Sequence, residues 1–376
     1  MAKINISLVG GQTYPVYLGI AESKPDKVVL VHSETSKGEA ERIAKETNVP
    51  TEYKPFDPVD VTKVFAQARN LVKSISADDQ YVINITSGTK VWTIVFYEVF
   101  KGLENVEFIY IDQNNNMYNL TTNKVEHVKS QLNTELVLKL NGTHIVSSTK
   151  FREYTPDDIR AIDVIKEMRN FDYGEFNELT IPNDRTKKDQ FEATDIGMFE
   201  TWNESSVRWD KTHHKVELVI NDKHGKCKKK TISSPHALHI TFFSGWFELY
   251  VANMLSSWKY AKEIIMNVKF PYKNNNPKNE IDIIVNTGNR LLFVECKTQI
   301  YDITDLDKFR TAVKNYGGMG CKSLFITEGS MKDTAAEKCE DSNILCFSVK
   351  DCGNLLSVQD ALFIKLEQEL FEINKK

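Results

Sequence analysis

The sequence has no C-x-x-C pair, and its six cysteines (227, 296, 321, 339, 346 and 352) all lie in the second half. That pattern suits reduced thiols in a cytoplasm better than a disulfide framework or a zinc cluster. No apolar run reaches the roughly 18–20 residues of a membrane span. The opening Met1-Ala-Lys-Ile-Asn-Ile lacks the apolar core of a signal peptide, so a cytoplasmic protein without a membrane segment is expected. Charge of one sign is scarce as well: a net −4 excludes a coat of positive potential for duplex DNA. Basic runs at Lys226–Lys230 and Arg185–Lys188 read first as solvated faces, with a local groove as the alternative. Internal repeats, low-complexity tracts and the G-x-x-x-x-G-K phosphate loop are all missing. What is present is 376 residues, 41% hydrophobic and 27% charged, enough for two globular domains.

The two halves follow different patterns. Residues 1–148 alternate strand-like runs (Ile4–Val9, Val28–His32, Tyr81–Ile85, Val106–Ile111) with helical ones (Lys37–Glu46, Val61–Ile75, Val91–Phe100). That order predicts an α/β, doubly wound and mostly parallel sheet, which binds ligands beyond the C-terminal ends of its strands. Residues 149–185 read as a connector in which Thr155-Pro-Asp-Asp starts a helix and Phe171–Asp184 is polar and turn-rich. Residues 186–376 form the second domain. There the sequence predicts a hairpin within 206–234, a long apolar helix over Thr241–Trp258, and strands near Ile264–Phe270, Glu280–Val285 and Arg290–Cys296. A helix near Leu306–Tyr316 and a strand at Ser323–Thr327 follow, and Asn274-Asn-Asn-Pro reads as a loop.

Chemistry concentrates in the hairpin whose turn is Thr287-Gly-Asn. Strand alternation puts Glu295 and Lys297 on one face, with Asp282 on the partner strand able to approach Glu295. Two carboxylates and a lysine converging there suit Mn²⁺ or Mg²⁺, which want oxygen ligands and can activate water against a phosphodiester. A Glu-x-Lys alone is common as a structural ion pair; the upstream Asp and the helix–strand–strand–strand–helix–strand order set this one apart. The stretch 240–330 resembles the PD-(D/E)XK nuclease superfamily, of which restriction endonucleases are members. The resemblance implies that Asp282 and Glu295 are metal ligands, Lys297 is the catalytic lysine and Glu248, on the first helix, completes the metal shell. For Glu248 a plain salt bridge is the competing reading, and Glu280 is a weaker candidate. Ile281 stands where the superfamily's nominal proline would be.

A second constellation, Thr86-Ser-Gly-Thr-Lys90, joins a strand to a helix N-terminus, where free N–H groups and hydroxyls suit a phosphate or a nucleotide. A simple capped turn fits the composition equally well. The run Tyr81–Lys90 resembles the ligand loop of CARF domains, the CRISPR-associated Rossmann-like sensors of cyclic oligoadenylate. Leu8-Val-Gly-Gly-Gln-Thr-Tyr-Pro and Val31-His-Ser-Glu-Thr match two further loops of that family. By this likeness Gly11, Gln12, Thr13, Ser33, Thr35, Thr86, Ser87, Gly88, Thr89 and Lys90 contact the nucleotide. A CARF sensor joined to a PD-(D/E)XK domain is similar to the CRISPR ancillary nucleases activated by cyclic tetra-adenylate. It implies a homodimer around a near two-fold ligand and cutting of single-stranded DNA, with RNA or supercoiled plasmid as alternatives. A non-catalytic CARF regulator and a ring nuclease that degrades its own ligand are the rival functions. Arg208-x4-His213 spells the HEPN ribonuclease pattern, which needs a helix that this hairpin-like stretch does not provide. The pair His213-His214 lacks a third ligand at zinc spacing, and Trp246, Phe247 and Tyr250 read as core.

Overall fold

The computed structural model describes residues 1–376 except 182–184, 272–276, 300–303, 319, 354–355 and 372–376. Of the expected loop Asn274-Asn-Asn-Pro, residues 274–276 therefore lie outside the described residues, and Pro277 begins a strand. The chain divides into two compact units. The first holds Met1–Ile145 with Asn286–Leu291 and Ala312–Cys321; the second holds Val146–Val285, Leu292–Thr311 and Lys322–Lys376.

The first unit runs β1 (Lys3–Leu8), α1 (Thr13–Ser23), β2 (Lys27–His32), α2 (Lys37–Thr47), β3 (Thr51–Pro55) and α3 (Val61–Val72). It continues with β4 (Gln80–Asn84), α4 (Lys90–Phe100), β5 (Val106–Ile111), β6 (Asn116–Asn119), β7 (Lys124–His127) and α5 (Thr134–Leu140). Its sheet has the order β3-β2-β1-β4-β5-β6-β7, in which β3 through β5 are parallel and β6 and β7 close the edge antiparallel. Strands such as Val28–Val31 are buried throughout, as a parallel sheet covered on both faces requires. The Asn286–Leu291 turn is held inside this unit. Asn286 Nδ2 donates to the Leu132 carbonyl at 2.7 Å, Asn289 Nδ2 to that of Gln113 at 2.8 Å and Asn115 Nδ2 to that of Gly288 at 2.5 Å.

The second unit begins with β8 (Ser147–Lys150), α6 (Pro156–Phe171), α7 (Tyr173–Thr180) and α8 (Arg185–Ala193). Thus the polar stretch Phe171–Asp184, expected to be turns, contains the helix α7; Asp172 caps it by accepting from the Glu175 N–H, and Phe176 and Leu179 are buried. Next come β9 (Ile196–Glu200), β10 (Ser206–Asp210), β11 (Lys215–Asn221) and β12 (Cys227–Ser233). They make a four-stranded antiparallel sheet where a single hairpin was expected, because β9 also brings an inward-facing Phe199 against Trp209.

The helix predicted over Thr241–Trp258 starts later, as α10 (Gly245–Ser256), and Thr241 instead ends a separate short helix, α9 (Ala237–Thr241). Phe243 and Ser244 take left-handed backbone angles, φ 55° and 67°, which no continuous helix allows. β13 (Glu263–Pro271), β14 (Pro277–Asn286), β15 (Leu291–Lys297), α11 (Thr304–Tyr316), β16 (Lys322–Thr327), α12 (Asp333–Asp341), β17 (Leu345–Ser348) and α13 (Val358–Phe371) complete the chain. Their sheet has the order β17-β16-β15-β14-β13-β8, with β15, β16 and β17 parallel. Trp246 and Phe247 of α10 are buried in its core, as the sequence suggested, and so is Leu249; Tyr250, also read as core, is only half-buried, under the Lys166 ammonium 3.4 Å from its ring centre.

Candidate functional site

Strands β14 and β15 are driven together by apolar side chains: Ile281, Ile283, Val285 and Leu291–Val294 are all buried. Asp282 and Glu295 interrupt this pattern with side chains only 13% and 14% exposed. The Cys296 N–H donates to Asp282 Oδ2 at 2.7 Å and ties the carboxylate across the hairpin. Lys297 Nζ donates to Glu295 Oε1 at 2.5 Å and stands 3.9 Å from Asp282 Oδ2. Glu248, in the first turn of α10, adds a third carboxylate whose Oε2 is buried without a hydrogen-bond partner. The imidazole of His239 on α9 stands near it, with Nε2 3.9 Å from Oε2.

Three largely buried carboxylates beside one ammonium leave negative charge uncompensated. Burial, reinforced by repulsion from Asp282, pushes the Glu248 carboxyl well above its ordinary range. Glu295 rises to about 8 for the same reasons, with Lys297 pulling the other way. Burial also raises Asp282, against the pull of Lys297 and the Cys296 N–H. Burial would lower Lys297, but Asp282 and Glu295 outweigh it and the ammonium is strongly favoured. Among the described residues no three His, Cys, Asp or Glu side chains are grouped as a ready metal cage. The cation beside Glu295 is Lys297 itself. The donor set nevertheless fits a hard divalent ion: carboxylate oxygens, one of them an orphan, with charge to be neutralised. Glu280 faces Lys269 at 3.7 Å.

The loops named for nucleotide contact gather at the C-terminal ends of β1, β2 and β4. β1 and β4 are the pair at which the sheet order reverses, where a doubly wound sheet takes ligands. The Gly10 N–H donates to Ser87 Oγ at 3.1 Å, and a Cβ at Gly10 would stand 2.9 Å from the Gly88 nitrogen, so the two loops touch backbone to backbone. Gly11, Gln12, Thr35, Gly88 and Lys90 are exposed, whereas Thr13 and Ser33 are buried. Several hydroxyls already serve the loops. Thr86 Oγ1 donates to Asn84 Oδ1 at 2.5 Å, Thr89 caps α4 by accepting from the Trp92 N–H at 3.2 Å, and Ser33 Oγ lies 2.8 Å from Thr35 Oγ1. A cleft of about 380 Å³ opens beside Ser33 and Thr35, lined also by Asp57, Lys63 and Gln67, which the sequence did not single out.

The basic runs are partly spent on structure. Lys228 and Lys230 both pair with Glu167 on α6, at 2.9 and 2.8 Å. Arg208 lies on strand β10 and His213 in the following turn, bound to Asp210 at 2.7 Å, so the HEPN spacing falls on a hairpin. Sequence reasoning missed His239, Asn267 and Tyr154 around Glu248. The available signal was an isolated Asn in the otherwise apolar run Ile264–Val268.

The sequence matches two family profiles, the Card1 CARF domain over residues 4–139 and the Card1-like endonuclease domain over residues 239–358. No curated protein matches it. Among solved structures it is similar to Can2 from Sulfobacillus thermosulfidooxidans in complex with cyclic tetra-adenylate, with a TM-score of 0.67 at 15% identity over 98% of this chain and 99% of that one. Protein VC1899 from Vibrio cholerae gives 0.72 at 12% identity, covering 98% of both chains. A type III CRISPR defence DNA nuclease activated by cyclic oligoadenylate gives 0.60 at 14% identity over 97% of this chain, which spans only 51% of that one. At such identities the structural likeness concerns the fold. The two profile matches together take in most of the chain, which carries a CARF domain of the Card1 type followed by a Card1-like endonuclease domain.

Proposed function

We propose that this nuclease is gated by cyclic tetra-adenylate and hydrolyses phosphodiester bonds with Mn²⁺ or Mg²⁺, as a cytoplasmic homodimer in type III CRISPR defence. The observation that carries the catalytic part is the buried group of Asp282, Glu295 and Lys297, with the orphaned Glu248 oxygen beside it. In this reading Asp282, Glu295 and Glu248 hold the metal. A divalent cation bound there supplies positive charge against the phosphate and an acidified water. Lys297, 2.5 Å from Glu295, is placed to orient or deprotonate that water, or to stabilise charge growing on the phosphorane. Single-stranded DNA is the first substrate we assign, ahead of RNA and supercoiled plasmid.

The gate is supported by the paired loops Gly11–Thr13 and Thr86–Lys90 at the sheet's switch point, and by Can2 having been solved with cyclic tetra-adenylate. A near two-fold ring would offer the same face to two copies of these loops. It shifts the enzyme towards the cutting form only by binding that form more tightly.

The test combines the purified chain, cyclic tetra-adenylate and Mn²⁺ or Mg²⁺ with labelled single-stranded DNA, RNA and supercoiled plasmid. Cutting should require both ligand and metal. Glu295→Ala and Lys297→Ala should each slow it by roughly 100-fold or more, and Lys90→Ala should weaken ligand binding with the fold intact. No cutting of any substrate in any combination sinks the catalytic reading. Full activity of Glu295→Ala or Lys297→Ala sinks the site, and unchanged ligand affinity of Lys90→Ala sinks the sensor loop.

A further inference from the structure

Three non-glycine residues in left-handed backbone conformations lie in the segments around Glu248: Phe243, Ser244 and Asn267, the last at φ 53°. Such conformations persist only where their surroundings impose them, and they gather at functional sites. Phe243 and Ser244 end α9 so that α10 restarts at Gly245. That glycine lets the new helix rest on its predecessor, since a Cβ there would stand 2.0 Å from the His239 carbonyl oxygen. Asn267 sits where the register between β13 and β8 slips, between Met266 and Lys269. This bulge sends its amide to α9. His239 Nε2 lies 3.1 Å from Asn267 Oδ1, and Asn267 Nδ2 donates to Tyr154 Oη at 3.3 Å.

With Nδ2 engaged as donor, Asn267 Oδ1 is the acceptor and His239 Nε2 carries the proton. The ring is thereby fixed with that edge 3.9 Å from Glu248 Oε2, the buried oxygen that has no partner. A metal-binding side chain held by neighbours in this way need not be ordered by the ion, and outer partners of this kind commonly set metal affinity.

We propose that His239 and Asn267 are positioning residues for Glu248. They form a braced wall that keeps the carboxylate turned towards Asp282 and Glu295. The proposal rests on reading Asp282, Glu295 and Glu248 as the metal-holding set. Neither residue touches the reacting atoms; both act through Glu248.

The test measures Mn²⁺ binding to the full chain by the loss of the free-ion electron paramagnetic resonance signal, alongside the melting temperature without metal. His239→Ala and Asn267→Gly, the latter compatible with the left-handed backbone, should each weaken Mn²⁺ binding by roughly 10-fold. The double variant should be no weaker than either single one, because the two act as a unit. His239→Gln, which keeps an N–H donor for Asn267, should recover much of the loss. At saturating Mn²⁺, kcat and the KM for DNA should return to the parent values. Unchanged Mn²⁺ affinity overturns the proposal, as does a loss that His239→Gln does not relieve or that only mirrors a lower metal-free melting temperature. Asp282→Asn and Glu295→Gln serve as controls. If they too bind Mn²⁺ normally, the metal-site reading itself fails; if they lose it while His239→Ala does not, only the positioning role fails.

Discussion

At the scale of single residues, the same carboxylate chemistry takes opposite directions in two places in the second unit. Glu248 and Glu295 are buried among other acids and are pushed up, whereas Asp158 is buried among donors. Its oxygens accept from the Thr155 N–H at 2.7 Å, the Thr155 hydroxyl at 2.8 Å, the His236 N–H at 3.0 Å and His236 Nδ1 at 3.1 Å. Burial alone would raise Asp158, but these bonds bring it down to about 2 from 3.8. A carboxyl with a depressed folded-state pKa stabilises the fold fully above its unfolded value. That contribution is lost as pH falls from about 4 to about 2. Asp158→Asn should therefore cost about 1–3 kcal/mol at pH 7 and flatten the acid limb of a stability–pH curve measured by urea unfolding. Equal losses for parent and variant between pH 7 and pH 2 would contradict this account. Thr155-Pro-Asp-Asp was legible as a helix start, and the capping box is there. His236, from a segment far along the chain, was not.

At the scale of elements, the most consequential difference from the sequence reading is the break between α9 and α10. The apolar run Thr241–Trp258 carries no proline and gives no periodic reason to stop, so hydrophobic pattern alone predicts one helix. The actual break depends on Gly245 packing against the His239 carbonyl, a contact between residues that sequence spacing does not reveal. Gly245→Ala should cost about 1–3 kcal/mol through overpacking and should weaken Mn²⁺ binding, because Glu248 rides on the displaced helix. Gly102→Ala, whose added Cβ meets nothing within 4 Å, should stay within about 0.5 kcal/mol. Thermal melts of the two variants side by side check the contrast; similar shifts in both would refute the packing argument. The hairpin of β14 and β15 behaved differently. Its alternation and its Thr-Gly-Asn turn were readable from the letters, and the Cys296 N–H to Asp282 bond shows the two strands in the register that brings those side chains close.

At the scale of the whole molecule, the proposed two-fold ligand makes a stoichiometric prediction. Light scattering should give twice the 43.1 kDa chain mass, and calorimetry should find one cyclic tetra-adenylate for every two chains. A monomer that binds one ring per chain would overturn the symmetric gate. The sequence by itself determined the alternation of strands and helices in the first half, the hairpin with Asp282, Glu295 and Lys297, and the strand–turn–helix at Thr86–Lys90. Each of these is local: a period of two or 3.6, a turn residue, a cap, all decided by neighbours in the chain. Only the tertiary structure decided that Glu248 is left with an orphaned oxygen, that Asn267 braces His239 beside it, and that Lys228 and Lys230 are taken up by Glu167. It also placed the Asn286–Leu291 turn in the first unit while the strands it joins run on into the second. Those facts depend on which buried groups find partners across distant segments, and such pairing is set by packing rather than by any pattern along the chain.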